Sequence, residues 1–186
     1  MNTPTLRMGT VDLAVPVVLA PMAGVTNAPF RTLCREEATR ALAVVHGLLP
    51  PAAVTSTAVV DGAIAGRGQG GPLAQLTATQ RAQIARPGLF TSEMITSRAL
   101  VERSGETMRM IQPEPDADPR SVQLYGVDPA TVIQAVRLLV EEDRTDHIDL
   151  NFGCPVPKVT RKGGGAALPW KLDLFAAIVR GAVRAA

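Results

Sequence analysis

Four times along this chain a short run of strand character is followed by a turn and then by a segment of helical periodicity. No other feature restricts the fold as much. Val17-Val18-Leu19-Ala20 is continuously apolar and ends at Pro21-Met22-Ala23-Gly24, as expected of a strand buried on both faces of a parallel sheet. Thr26 or Asn27 can cap a helix from about Ala28 that sets Phe30, Leu33 and Cys34 on one face. Residues 89–94 predict a second strand, followed by a short helix over 97–103 that Gly105 closes. Val122-Gln123-Leu124-Tyr125 predicts a third strand ending at Gly126. Asp128 then caps a helix with Pro129 in its first turn and Val132, Ile133, Val136, Leu139 and Val140 as its apolar stripe. Residues 147–151 alternate like a fourth strand, and a last helix from Leu172 or Asp173 carries Leu174, Phe175, Ile178, Val179 and Val183. Four such units in succession predict a parallel α/β fold, either a barrel or an open doubly wound sheet.

The special residues separate these two. Pro21-Met22, Glu93, Gln123 and Asn151 to Cys154 all fall at the carboxyl ends of successive strands, where a (β/α)8 barrel carries its chemistry. A dinucleotide-binding sheet usually shows a glycine fingerprint after its first strand, and none stands there. Asp149-Leu150-Asn151-Phe152-Gly153-Cys154-Pro155 reads as an active-site turn: Gly153 and Pro155 stop the strand, and a thiol just past its end can act as proton donor or nucleophile. Lys158, Arg161, Lys162 and the triplet Gly163-Gly164-Gly165 follow, a cationic stretch whose glycines let backbone approach a phosphate.

Other signals narrow the function class. Cys34 and Cys154 lie far apart without paired-thiol spacing, which points away from a disulfide framework or a cysteine-rich zinc site. Cys34 reads as a packing residue on its helix face. His46 and His147 lack metal-ligand spacing and read as structural or exposed, so no metal is expected. No apolar run reaches the ~18 residues that cross a bilayer. Met1-Asn2-Thr3-Pro4 lacks the layout of a signal peptide, so the expectation is a soluble, cytoplasmic chain with no membrane partner. An apolar fraction of 46% is enough for a core in a chain of 186 residues. The formal charge of +2 neither demands nor excludes RNA, because a local basic face is what binds it.

Residues 38–87 break the pattern. The stretch holds no aromatic side chain and a single acidic residue after Glu37, Asp61, and residues 66–72 hold four glycines. Helical turns are expected at 42–49 and 73–84, but the composition reads as an inserted, disordered or irregular segment. It also fits a segment read in the wrong frame.

The motifs taken together carry a resemblance. Ala20-Pro21-Met22-Ala23-Gly24-Val25-Thr26-Asn27 with Phe30-Arg31, then Ser92-Glu93-Met94, Gln123-Leu124-Tyr125-Gly126, and residues 149–155 running into Lys158-Val159-Thr160-Arg161-Lys162-Gly163-Gly164-Gly165 stand in the order found in the tRNA-dihydrouridine synthases. The chain resembles that family up to about Glu37 and from about Gly88 onward. The resemblance implies an FMN-binding (β/α)8 barrel followed by a small helical domain, and NADPH-dependent reduction of uridines in tRNA to 5,6-dihydrouridine. By motif position, Pro21, Met22 and Ala23 lie against the flavin, Gln123 hydrogen-bonds its ring, and Asn151 faces flavin and target base. Hydride goes from reduced FMN to C6, and Cys154 is the general acid at C5. Lys158, Arg161 and Lys162 contact flavin phosphate or RNA backbone.

A whole barrel takes roughly 250 residues. Four strand–helix units therefore predict a truncated barrel, without its second half and the helical tRNA-binding domain, and with open sheet edges that favour association. Two other readings stand beside this one. Another FMN barrel such as a dihydroorotate dehydrogenase also carries Asn and Cys or Ser before a Pro after its fourth strand, but lacks the tail from Lys158 to Gly165. The other is a truncated, non-catalytic fragment.

Overall fold

The computed structural model describes residues 6–55, 59–60, 63–64, 72–114 and 117–186. The glycine-rich stretch lies almost wholly outside them. In chain order the described elements begin with β1 (Leu6–Met8), β2 (Val11–Leu13), β3 (Val18–Leu19), α1 (Ala28–Val45), α2 (Ala52–Thr55), β4 (Val59–Val60), β5 (Ala63–Ile64) and α3 (Ala78–Gln83). They continue with β6 (Leu89–Thr96), α4 (Ser97–Val101), α5 (Gly105–Met110), β7 (Arg120–Tyr125), α6 (Pro129–Glu141), β8 (His147–Leu150), α7 (Pro157–Thr160) and α8 (Leu172–Ala185). The chain divides into two compact units, Met1–Val18 with Thr32–Leu89, and Leu19–Arg31 with Phe90–Ala186.

The second unit carries the four-stranded sheet, in the order β3-β6-β7-β8, with β6, β7 and β8 parallel. The chain has the α/β fold of four consecutive strands of a (β/α)8 barrel. Side chains alternate across each strand. On β7, Val122 and Leu124 enter an apolar core with Val132, Val136 and Leu139 of α6 and Ile178 of α8, while Ser121 and Gln123 alternate with them along the strand. Helix α6 starts as its sequence dictates, with the Asp128 carboxylate accepting from the Thr131 N–H at 3.0 Å and Pro129 in the first turn. Val140 and Val183, assigned to apolar stripes from spacing, are 41% and 72% exposed. Ala135 and Ala182 are buried on those helices instead.

Gly105 also departs from expectation. It opens α5, because the Ser104 side chain accepts from the Thr107 N–H and caps a new helix. The left-handed residue that ends the preceding turn is Arg103, at φ 53°.

In the first unit, β1 and β2 form an antiparallel hairpin over an alternating stretch, with Val11 and Leu13 buried and Asp12 exposed. Val11, Leu13 and Leu89 make one small apolar cluster; Leu42, Ala43, Leu76 and Ile84 make another. Helix α1 runs past residue 38 to Val45, a 3-10 turn spans Pro72–Gln75, and α3 begins with a capping box between Thr77 and Gln80. The segment with the composition of an insert thus carries short regular elements among its described residues. None of the described helices is long and apolar enough to cross a membrane.

Candidate functional site

Register builds the site. Met94 of β6 pairs with Gln123 of β7, and Gln123 pairs with Asp149 of β8, so three side chains stand in one row across three strands. One layer below, Thr91, Ser121 and His147 form a second row. Their hydroxyls and ring are linked, Thr91 Oγ1 to Ser121 Oγ at 3.0 Å and Ser121 Oγ to His147 Nδ1 at 2.9 Å. Burial pushes the His147 imidazole below its ordinary range, with the Asp149 charge acting the other way.

Between the two rows the register shifts, with Ser92 and Glu93 opposite the single residue Val122. This is a β-bulge, a device that re-aims side chains next to functional sites. Here it turns the Ser92 hydroxyl to accept from the Gln123 N–H at 3.2 Å, and the Glu93 carboxylate to accept from the Gly24 N–H at 2.5 Å. The loop after β3 is therefore tied down from several sides. Thr26 Oγ1 accepts from the Met22 N–H at 3.0 Å, and buried Arg31 donates to the Thr26 carbonyl and pairs with Glu114.

Above the row, three polar side chains bond in series. Gln123 Nε2 donates to Asp149 Oδ2 at 2.6 Å, and Asn151 Nδ2 donates to Gln123 Oε1 at 3.2 Å with Met94 Sδ also 3.0 Å away. Asn151 Oδ1 accepts from the N–H groups of Gly153 and Cys154 at 3.2 and 2.9 Å. Both hydrogens and both lone pairs of the Asn151 amide are thereby engaged within the chain. Gln123 keeps one N–H and one lone pair.

The glycine triplet also serves the packing of the chain around the turn. All three glycines are buried. Gly165 adopts φ +54°, and a Cβ there would overlap the Cys154 carbonyl oxygen, which accepts from the Ala166 N–H at 3.0 Å. A Cβ on Gly164 would press to 3.0 Å from the Tyr125 ring. Gly165 thus lets the backbone pass close to the Cys154 carbonyl, and Gly164 lets it pass close to the Tyr125 ring. Phe152 holds the other side of the turn through an edge-to-face contact with Phe175, ring centroids 4.7 Å apart.

These elements border an open cavity of about 460 Å³ whose lining includes Pro21, Ala23, Met94, Gln123, Asn151 and Cys154. Of the residues singled out from sequence, Pro21, Ala23, Gln123, Asn151 and Cys154 are brought together here. Met22 is not; it is 41% exposed and its backbone is spent on Thr26. Lys158, Arg161 and Lys162 also lie outside the lining, exposed on α7 and the turn after it, and they form no ion pair among the described residues. Met94, Asp149 and Phe152 line the cavity as well, although the motifs that contain them give none of the three a role of its own. The signal for the first two is strand register, since each is a direct cross-strand partner of Gln123.

Comparison with known proteins gives a consistent picture. The family model described as Dihydrouridine synthase (Dus) matches residues 18–186. A probable tRNA-dihydrouridine synthase of Mycobacterium tuberculosis (strain CDC 1551 / Oshkosh) is 44% identical over 183 residues, covering 98% of this chain and 36% of that protein. A second, from Mycobacterium leprae (strain TN), is 48% identical over 170 residues, covering 90% of this chain and 38% of the relative. A tRNA-dihydrouridine synthase B of Pseudomonas aeruginosa is 31% identical over 180 residues, covering 97% and 40%. The chain spans between a third and two-fifths of the length of these relatives.

Proposed function

Because the chain belongs to the dihydrouridine synthase family, we propose that its strand-end cavity serves the reduction of uridine in tRNA to 5,6-dihydrouridine. The observation that carries this reading is the meeting of Cys154 and Gln123 in one cavity of about 460 Å³, a volume within the range of ligand sites.

The lining fits a flavin ring. Pro21, Ala23 and Met94 offer apolar walls, and Gln123, buried and held by Ser92 and Asp149, has one N–H and one lone pair left for a heteroatom edge. Those residues are the proposed FMN contacts. FMN, when bound and reduced at the expense of NADPH, supplies the hydride that C6 of the uracil gains.

The chain's own part is the proton. Reduction of the C5–C6 bond needs a proton at C5, and the Cys154 thiol gives it from the turn at the cavity's edge, leaving a thiolate that water reprotonates. The C5–C6 π bond is lost and two C–H bonds form, one from the hydride that would leave the reduced cofactor as it is oxidised by two electrons and one from the proton that leaves the S–H bond, so atoms, electrons and charge balance. A base stacked in RNA cannot reach this cavity and must be extruded into it. Lys158, Arg161 and Lys162 then contact phosphate, where cations set orientation without reading sequence. A tRNA substrate implies action in the cytoplasm.

The test is direct. The 186-residue chain, supplied with FMN, NADPH and tRNA lacking dihydrouridine, is expected to add two hydrogens per modified uridine by nucleoside mass spectrometry, and Cys154→Ala to lose the product. No product from a chain that binds FMN and tRNA contradicts the proposal.

A further inference from the structure

Asp149 is a pocket carboxylate that the proton step leaves without a task. Among the described residues it forms no ion pair, and its one hydrogen-bonding side-chain partner is Gln123. We infer that Asp149 is a positioning residue for the Cys154 turn, acting through the amides of Gln123 and Asn151.

The two ends of this series admit only one sense. A carboxylate can only accept, so the Gln123 atom 2.6 Å from it is the NH₂ group and the Gln123 oxygen faces Asn151. The Gly153 and Cys154 N–H groups can only donate, so the Asn151 oxygen faces them and its NH₂ faces Gln123. Charge at one end and the backbone of the thiol-bearing residue at the other thus agree on the orientation of both amides. Bonds aligned in series strengthen one another. A carboxylate accepting from Gln123 makes its carbonyl a better acceptor for Asn151, and the Asn151 carbonyl a better acceptor for the turn. Gln123 is fit for this because it is only 6% exposed and its own N–H is fixed by Ser92. Asn151, fully engaged within the chain, acts in this structure as the clamp of the turn.

The inference deepens the reading of Cys154 as the proton donor and rests on that reading for its purpose, but its geometry is tested without turnover. The measurement is hydrogen exchange at the Gly153 and Cys154 amides in the whole chain, together with iodoacetamide alkylation of Cys154 in a Cys34→Ser background. Asp149→Leu is expected to speed Cys154 amide exchange about fivefold or more, since hydrogen bonds to charged groups are roughly twice as strong as neutral ones. In an Asn151→Ala background the same substitution is expected to change exchange by less than about twofold, the non-additivity of residues acting through one path.

If Asp149→Leu does not fold, Asp149→Asn carries the test with an expected factor of about threefold, because a neutral acceptor replaces a charged one. If Asn151→Ala does not fold, Gln123→Leu cuts the same series. Exchange that no Asp149 variant alters, or that changes equally in both backgrounds, overturns the inference. A wild-type chain that makes no dihydrouridine while retaining this coupling contradicts the proposed reaction and leaves the positioning role standing.

Discussion

The unit containing Phe90–Ala186 and the unit containing Thr32–Leu89 draw on similar apolar residues and use them differently. In the former, strands β6 to β8 and helices α4, α6 and α8 bury one continuous cluster, from Ile95 and Leu124 to Leu139 and Ile178. In the latter the apolar clusters among the described residues are two small ones, around Leu42 and Leu13. A repeated parallel strand–helix unit leaves alternate side chains of each strand for other work, and Met94, Gln123 and Asp149 take it up. Short hairpins such as β1–β2 have no comparable second set. The difference teaches that the site depends on the continuity of the apolar layer beside it as much as on its own polar residues.

Several substitutions sharpen or break this contrast, beginning with the largest effect. Cys154→Ala is expected to lower the rate of dihydrouridine formation by roughly 10²–10⁴, the usual worth of a positioned general acid, with unfolding midpoint unchanged. Gly165→Ala places a Cβ against the Cys154 carbonyl and demands φ +54°. It should cost about 2–4 kcal/mol in denaturant unfolding, since left-handed strain alone costs about 1–3, and should disturb the turn as well. Leu139→Ala in the continuous core should cost roughly 4 kcal/mol, but Leu42→Ala in a small cluster only roughly 2, within the range of large-to-small changes. Equal losses would erase the distinction between the units.

Alanine at Lys158, Arg161 or Lys162 should weaken tRNA binding and lower the salt-dependence slope by about one for each phosphate no longer neutralised, leaving FMN affinity alone. The smallest effect concerns His147. Burial holds its folded-state pKa below the ordinary value of about 6.5. The unfolded chain therefore takes the proton first, so stability is complete above pH about 6.5 and falls as pH drops below it, until the folded form is protonated too. His147→Gln should flatten that part of the stability-versus-pH curve.

Most of the second unit is legible in the sequence because its strands are short apolar or alternating runs that end near glycine or proline, and because Asp128-Pro129 marks a helix start without tertiary context. Pro21, Ala23, Gln123, Asn151 and Cys154 are legible as strand-end residues. Met94 and Asp149 require register to be placed beside Gln123, and the bulge at Ser92 and Glu93 shifts that of Met94 by one residue. No single-strand pattern contains that information. The contact of Gly165 with the Cys154 carbonyl is not legible from the triplet alone, because close approach to a phosphate and close approach to a carbonyl ask for the same missing Cβ. The β1–β2 hairpin is present in the alternation from Leu6 to Leu13 around Gly9, yet three-residue strands are too short to stand out.

The claim at the centre is that the cavity beside Cys154 is a flavin site organised by Gln123. FMN fluorescence on titration with the 186-residue chain, wild type beside Gln123→Leu, tests it most directly. Saturable binding that weakens about tenfold in the variant, the worth of a hydrogen bond of about 1.4 kcal/mol, is the predicted result; no saturable binding, or equal affinity for both proteins, contradicts it.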